Sequence, residues 1–260
     1  VTPLPGLGVL VTRPEAQAAP LVGLLERAGA RVHRLPAIEI VPAPDREALR
    51  ASVGPIDRYR WLMFVSTNAV RYGAFLLEDA ASLPQFAAVG PATAAAIERA
   101  GLRVGVVPAS GFDSEALLAS PELTNVAGAR VLIVRGDGGR ELMGEELRRR
   151  GAEVQYVEVY ARRRAAPAPE VVRAIEEAWT RGEIDVVTAT SAELHGCLLE
   201  ILSPAGRALL NRTALLAGGT RIADAARRMG HAGEIVVARA ADDASLLDAL
   251  IERQRHTSDS

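Results

Sequence analysis

The amino-acid sequence predicts an α/β fold made of two similar parallel-sheet modules, and three internal repeats predict it. Residues 130–164 repeat residues 8–42 at an offset of 122 positions: Val131, Leu132, Ile133 and Arg135 fall on Val9, Leu10, Val11 and Arg13, and Gly151-Ala152 falls on Gly29-Ala30. Trp61-Leu62-Met63-Phe64-Val65-Ser66 stands 125 positions before Val186-Val187-Thr188-Ala189-Thr190-Ser191. Ala88-Val89-Gly90, with a helix closing at Gly101, stands 129 before Ala217-Gly218-Gly219, with a helix closing at Gly230. The first kind of segment reads as a buried strand, a polar turn, an amphipathic helix, a glycine stop and a second strand, a βα unit feeding a parallel neighbour. With the two kinds written A and B, the chain order is A, B, A′, B′. Two copies make a duplicated module, not a solenoid.

Each element has its own signal. The first strand is predicted over 9–12, and the helix after Arg13-Pro14 places Ala18, Leu21, Leu24, Leu25 and Ala28 on one face before Gly29 stops it. Residues 32–35 read as a strand. Residues 37–42, bounded by prolines and too polar for a sheet centre, read as a linker or edge strand. A helix is expected over 45–52 and a buried strand over 61–65, followed by Ser66-Thr67-Asn68 capping a helix. Residues 86–89 form a strand leading into Gly90-Pro91-Ala92-Thr93, where proline occupies the first turn and its missing N–H costs nothing. A strand over 104–107 and a helix over 115–119 capped by Asp113-Ser114 come next. After Tyr160, the basic and proline-rich residues 162–169 read as a return linker. A helix over 171–181, strands over 185–189, 215–217 and 235–238, and a last helix over 245–253 with a frayed tail from Gln254 complete the chain.

Composition sets the limits. A chain of 260 residues holds two domains of about 100–150 residues, each with its own core. Hydrophobic residues make up 49% and charged residues 24%, as in ordinary globular proteins, and the net charge of −2 gives no general reason to expect nucleic acid. There is no lysine, so all 30 basic residues are arginine. Coding bias accounts for this, and arginine also suits planar carboxylate recognition. The single cysteine, Cys197, excludes an intramolecular disulfide and reads as a buried structural thiol. No apolar run reaches the length of a membrane span and no signal pattern opens the chain, so the cytoplasm is expected.

In open parallel sheets, ligands bind beyond the carboxyl ends of the strands. Small polar or glycine turns recur there: Ser66-Thr67-Asn68, Gly90 to Thr93, Asp113-Ser114, Thr190-Ser191 and Gly218-Gly219-Thr220. Singly each is a plain N-cap; together they point to an extended anion-binding cleft. G-x-G-x-x-G, Walker and G-x-S-x-G motifs are absent, and the four histidines are scattered without metal-ligand spacing. Any chemistry therefore rests on positioning and electrostatics.

The ordered motifs Val11-Thr12-Arg13-Pro14, Phe64-Val65-Ser66-Thr67-Asn68-Ala69-Val70, Ala88 to Thr93, Gly128 to Arg135, Gly151-Ala152-Glu153-Val154 leading to Val159-Tyr160, and Thr188 to Ser191 resemble the uroporphyrinogen-III synthase family over nearly the whole chain. The resemblance implies two α/β domains joined by a two-stranded linker, the first domain discontinuous. On this chain that means 1–40 plus 165–260 for the first domain and 44–158 for the second, with crossing linkers at 38–44 and 157–167. It implies a cyclising hydro-lyase acting on hydroxymethylbilane, a linear tetrapyrrole with eight carboxylates, through loss of the terminal hydroxyl and inversion of the last ring. It also implies no cofactor and no metal, and a monomer is expected. Tyr160 matches the family's Val-Tyr position and becomes the candidate proton donor, since tyrosine, with an ordinary pKa of about 10, is protonated at neutral pH. Its alternative is an amphipathic tyrosine packing a linker strand. The substrate-binding candidates are Arg13, Ser66, Thr67, Asn68, Gly90, Thr93, Ser114, Arg135, Thr190, Ser191, Gly219 and Thr220. Of these, Arg135 has the alternative of neutralising Asp137, and Thr220 departs from the pattern because its turn lacks the proline. The competing readings are a non-catalytic tetrapyrrole- or anion-binding regulatory module, against which the short stretch after the last helix argues, and a two-domain binding protein closing on a small ligand.

Overall fold

The computed structural model describes residues 2–78, 80–111 and 113–258. The strands, in chain order, are β1 Gly8–Val11, β2 Arg31–Arg34, β3 Ile38–Pro42, β4 Trp61–Phe64, β5 Gln85–Ala88 and β6 Val104–Val106. They continue with β7 Arg130–Gly136, β8 Glu153–Arg164, β9 Val186–Ala189, β10 Ala214–Ala217 and β11 Ile235–Val237. The helices are α1 Glu15–Arg27, α2 Arg46–Val53, α3 Thr67–Gly73, α4 Pro91–Arg99, α5 Ser114–Leu118 and α6 Leu142–Arg149. Then come α7 Pro169–Thr180, α8 Ala192–Ile201, α9 Pro204–Leu210, α10 Thr220–Arg228 and α11 Asp243–Ser258.

The chain divides into two compact units, one of residues 1–39 and 163–260 and the other of residues 40–162. The first holds a five-stranded sheet in the order β11-β10-β9-β1-β2, parallel throughout. The second holds β3-β8-β7-β4-β5-β6, in which the pairs from β8 to β6 are parallel. Read from either end, β6-β5-β4-β7-β8 repeats β11-β10-β9-β1-β2. Segment A thus shares a sheet with B′, and B with A′.

The central strands β1, β4, β9 and β10 are buried along their whole length. Helices cover both faces of such sheets, so their strands are apolar runs and do not alternate with polar residues. In the second unit the two-residue period still sorts side chains between faces. Leu62, Phe64, Leu132 and Val134 join one core with Phe86 and Ile97, while Trp61, Met63, Val131 and Ile133 join the other with Leu117 and Leu147. Each large apolar side chain so buried contributes about 1.5–3 kcal/mol. Gly29 and Gly151, equivalent in the repeat, follow α1 and α6 at φ of 94° and 86°, a left-handed conformation that a β-carbon would strain.

Three readings of the sequence change. Residues 153–164 form one twelve-residue strand, so Arg162, Arg163 and Arg164, read from the sequence as the start of an irregular return linker, continue β8 across the unit boundary at 162/163. The cause is pairing: the Ala43 N–H donates to the Val159 carbonyl and the Ala165 N–H to the Ala37 carbonyl, each at 3.0 Å, so β8 has β3 beside it running the opposite way. The last helix continues through Gln254 to Ser258 instead of fraying. Residues 204–210, to which the sequence reading assigned nothing, form α9, capped by Ser203, whose Oγ accepts from the Gly206 N–H at 3.1 Å.

Candidate active site

In the second unit, Tyr160 lies on β8 at the point where a register shift sets it beside Gly136, the last residue of β7. Its hydroxyl is 3.0 Å from Ser66 Oγ, at the carboxyl end of the adjoining β4. Ser66 Oγ in turn accepts from the Ala69 N–H at 3.0 Å, capping α3. The Tyr160 ring packs against Tyr72 with centroids 5.9 Å apart, and the Tyr72 hydroxyl donates to the Ile40 carbonyl at 3.1 Å. Gly136 makes room for the ring, because a β-carbon there would stand 2.6 Å from two of its atoms. The Asp137 N–H donates to the Tyr160 carbonyl at 2.9 Å, and Asp137 accepts from the Arg162 N–H at 3.1 Å. A phenol is thereby held from several sides and is 8% exposed, with its oxygen against a serine.

Ser66 can donate its hydroxyl proton to the Tyr160 oxygen while accepting from Ala69. In that arrangement the phenol proton is available to another acceptor, and negative charge developing on the phenol oxygen meets a hydrogen-bond donor.

Around this pair, Thr67 and Asn68 occupy the first turn of α3, half-buried. Gly90 caps α4 with Pro91 at its start, and Thr93, 5% exposed, sits in the first turn. Ser114 is the first residue of α5, whose capping oxygen is that of Asp113, accepting from the Ala116 N–H at 2.8 Å.

Arg135 is committed elsewhere. Its guanidinium pairs with Glu141 at 2.8 Å and Glu158 at 3.1 Å and lies over the Tyr156 ring, 4.0 Å from the centroid. Its acidic partners are these two residues and not, as the sequence suggested, Asp137. Tyr156 accepts from the Gly144 N–H at 2.9 Å and donates to the Glu141 carbonyl at 3.0 Å; burial raises its pKa above the ordinary phenol value.

In the first unit, Thr12 Oγ1 donates to the Thr188 carbonyl at 2.6 Å, tying the carboxyl ends of β1 and β9. Thr190 and Ser191 follow β9, and Ser191 Oγ caps α8 by accepting from the Leu194 N–H at 3.1 Å. Gly219 opens α10 at a φ of 148°. Thr220 is exposed at the first position of that helix. Arg13 is 9% exposed and is turned to Asp243 and the Ala241 carbonyl. It thus anchors the segment before α11, which lies so close to Gly218 that a β-carbon there would be 2.7 Å from Ala241.

Sequence reading missed several groups. Gly136 and Tyr72 support Tyr160 across sequence distances that no local pattern reveals. His195 and His231, scattered in the chain, meet edge to face at 5.8 Å, both buried, and among the described residues the His195 ring nitrogens have no hydrogen-bond partner. Burial, with a smaller contribution from His231, lowers the pKa of His195 to about 4. Among the described residues, no group of three or more histidine, cysteine, aspartate or glutamate side chains is placed to hold a metal ion. Cys197 is half-buried.

Two α/β units of matching parallel strand order, with polar helix starts at their sheet edges and a supported phenol in one of them, define a two-domain α/β protein. The family model described as uroporphyrinogen-III synthase HemD matches residues 19–248. The uroporphyrinogen-III synthases of Escherichia coli K12 and Salmonella typhimurium LT2 are each 34% identical, over 94% of this chain and 100% of theirs. In fold, the chain is similar to a mutant uroporphyrinogen III synthase from the extreme thermophile Thermus thermophilus, with a TM-score of 0.58 at 22% identity, covering 96% of this chain and 99% of that one. It is also similar to the uroporphyrinogen-III synthetase of Helicobacter pylori 26695, with a TM-score of 0.62 at 13% identity, covering 95% and 99%. The chain belongs to the uroporphyrinogen-III synthase family.

Proposed function

We propose that this protein converts hydroxymethylbilane to uroporphyrinogen III, closing the macrocycle with loss of water and inverting the last pyrrole ring. The observation that carries the reading is the family match across residues 19–248, together with relatives 34% identical over their full length. The regulatory-module alternative draws no support from those relatives.

The residue roles belong to the proposal. Tyr160 donates a proton to the departing hydroxyl, which leaves as water, and Ser66 O–H stabilises the phenolate so formed. The last ring bonds to the freed methylene carbon through its already substituted α-carbon, giving a spiro intermediate. Its old bond to the neighbouring bridge carbon then breaks, its free α-carbon bonds to that bridge carbon instead, and the proton lost from that position restores the phenol, so the cycle balances without a co-reactant. Ser66, Thr67, Asn68, Gly90, Thr93 and Ser114 in one unit, and Thr190, Ser191, Gly219 and Thr220 in the other, supply N–H and hydroxyl donors for carboxylates. This reading requires neither metal nor cofactor. Arg13 and Arg135 serve the site by holding its surroundings, because their guanidinium groups already face acids. A monomer acting in the cytoplasm completes the proposal. No helix among the described residues is long and apolar enough to cross a membrane.

The test is incubation with enzymatically generated hydroxymethylbilane, followed by separation of the type I and type III products. The expected result is mainly type III without added metal or nucleotide. A folded sample that leaves only the spontaneous type I product overturns the reading.

A further inference from the structure

A cavity of about 440 Å³ lies within the first unit, lined by Thr190 and Ser191 before α8 and by Arg221, Asp224, Ala225 and Arg228 along α10. Arg221 and Arg228 are seven residues apart, almost two full turns, so both side chains leave one face of the helix about 10 Å apart along its axis. Both are exposed, and neither has a hydrogen bond or ion pair among the described residues. Asp224, the acid in the lining, pairs with Arg227 at 3.8 Å.

Two cavities of similar size elsewhere show the opposite balance. In one, of about 510 Å³, Arg50 pairs with Glu78 at 2.7 Å, with Glu47 and Asp57 also in the lining. In the other, of about 480 Å³, Arg253 pairs with Glu234 at 2.9 Å, with Glu252 beside them. Where arginine lines those cavities an acid pairs with it; at α10 two guanidinium groups share the lining with one acid, Asp224, whose ion pair is with Arg227. Between them and α8, Ser191 keeps its own hydroxyl proton to donate, since its oxygen accepts from Leu194. Two forked donors and a hydroxyl beside one concavity fit carboxylate, which accepts paired N–H bonds from guanidinium.

We infer that Arg221 and Arg228, with the Ser191 hydroxyl, form a side-chain subsite for the carboxylates of the substrate. The inference rests on the proposed reaction, whose substrate carries two carboxylates per pyrrole ring. It adds guanidinium recognition to the backbone and hydroxyl donors already assigned. The role is one of binding: the subsite touches substrate away from the reacting carbon and contributes equally before and during the reaction.

The experiment is steady-state formation of uroporphyrinogen III from hydroxymethylbilane by wild type, Arg221→Gln, Arg228→Gln and the double variant, at two ionic strengths. Each single change is expected to raise KM about tenfold at unchanged kcat, the scale of one lost charge-assisted hydrogen bond. The double variant should raise it further, with KM less sensitive to salt than in wild type. Arg228→Lys, which keeps the charge and loses the fork, should fall between. Both arginines are exposed and unpaired, so thermal unfolding should be unchanged, and it is recorded to exclude loss of fold. Wild-type KM in the double variant, or a loss confined to kcat, overturns the subsite while the reaction stands. A wild type that forms no type III isomer overturns the reaction and the subsite together.

Discussion

Replacing Tyr160 by phenylalanine removes one hydroxyl and keeps the ring that packs on Tyr72, so it separates proton donation from packing. The lost bond to Ser66 is worth about 1 kcal/mol of stability. Loss of a general acid costs about 10²–10⁴-fold in rate. Gly136→Ala perturbs the same group by a different route. Its β-carbon would stand 2.6 Å from the ring, against an ordinary contact of 3.4 Å or more, so the ring has to retreat by about 0.8 Å. A displacement near 1 Å costs on the order of 10²-fold where geometry carries the reaction. It would also stretch the 3.0 Å contact to Ser66 beyond a good hydrogen bond. Single-turnover rates on folded variants are the assay. Tyr160→Phe and Gly136→Ala should each be slow, and adding Gly136→Ala to Tyr160→Phe should cost little more, since no hydroxyl remains to be misplaced. A near-normal rate for Tyr160→Phe, or full additivity of the two changes, refutes the assignment of the donor to Tyr160.

The remaining predictions concern stability and topology. His195, with a pKa of about 4 in the folded protein against about 6.5 unfolded, stays neutral where the unfolded chain takes up a proton. Stability is therefore complete above pH 6.5 and falls by about 3 kcal/mol as pH drops towards 4. His195→Leu should flatten the pH dependence of the urea midpoint over that range; an unchanged slope rules the histidine out. Residues 40–162 should unfold cooperatively as an isolated fragment, whereas 1–125 should not, because β1 and β2 would lack β9 to β11; the reverse result would mean sequential domains. Arg13→Gln should cost about 3 kcal/mol, the low end for a broken buried pair since 27% of the Asp243 side chain is exposed, and leave KM unchanged. A normal urea midpoint with a raised KM would return Arg13 to the substrate contacts.

The sequence by itself determined the periodic elements. Strands such as Trp61–Phe64 and Val186–Ala189 are apolar runs ended by serine or threonine, and the stops at Gly29 and Gly151 are local backbone requirements, so both are written in neighbouring residues. The helix starts at Ser66, Asp113 and Ser191 were legible for the same reason, since a capping oxygen answers an N–H three residues on. Tertiary structure decided which repeat shares a sheet with which. Strand pairing between β1 and β9 joins residues about 177 apart, and no period in the chain encodes a partner at that distance. It also decided the length of β8, whose arginines extend the strand because β3 lies beside it. The same holds at the site. Tyr160 was visible as a residue, but its contact with Ser66, the space left by Gly136, the pairing of Arg13 with Asp243 and the unpaired face of Arg221 and Arg228 exist only once distant segments pack. Local backbone preference acts over about one turn or one strand; side-chain contacts form between whichever surfaces the sheet order brings together.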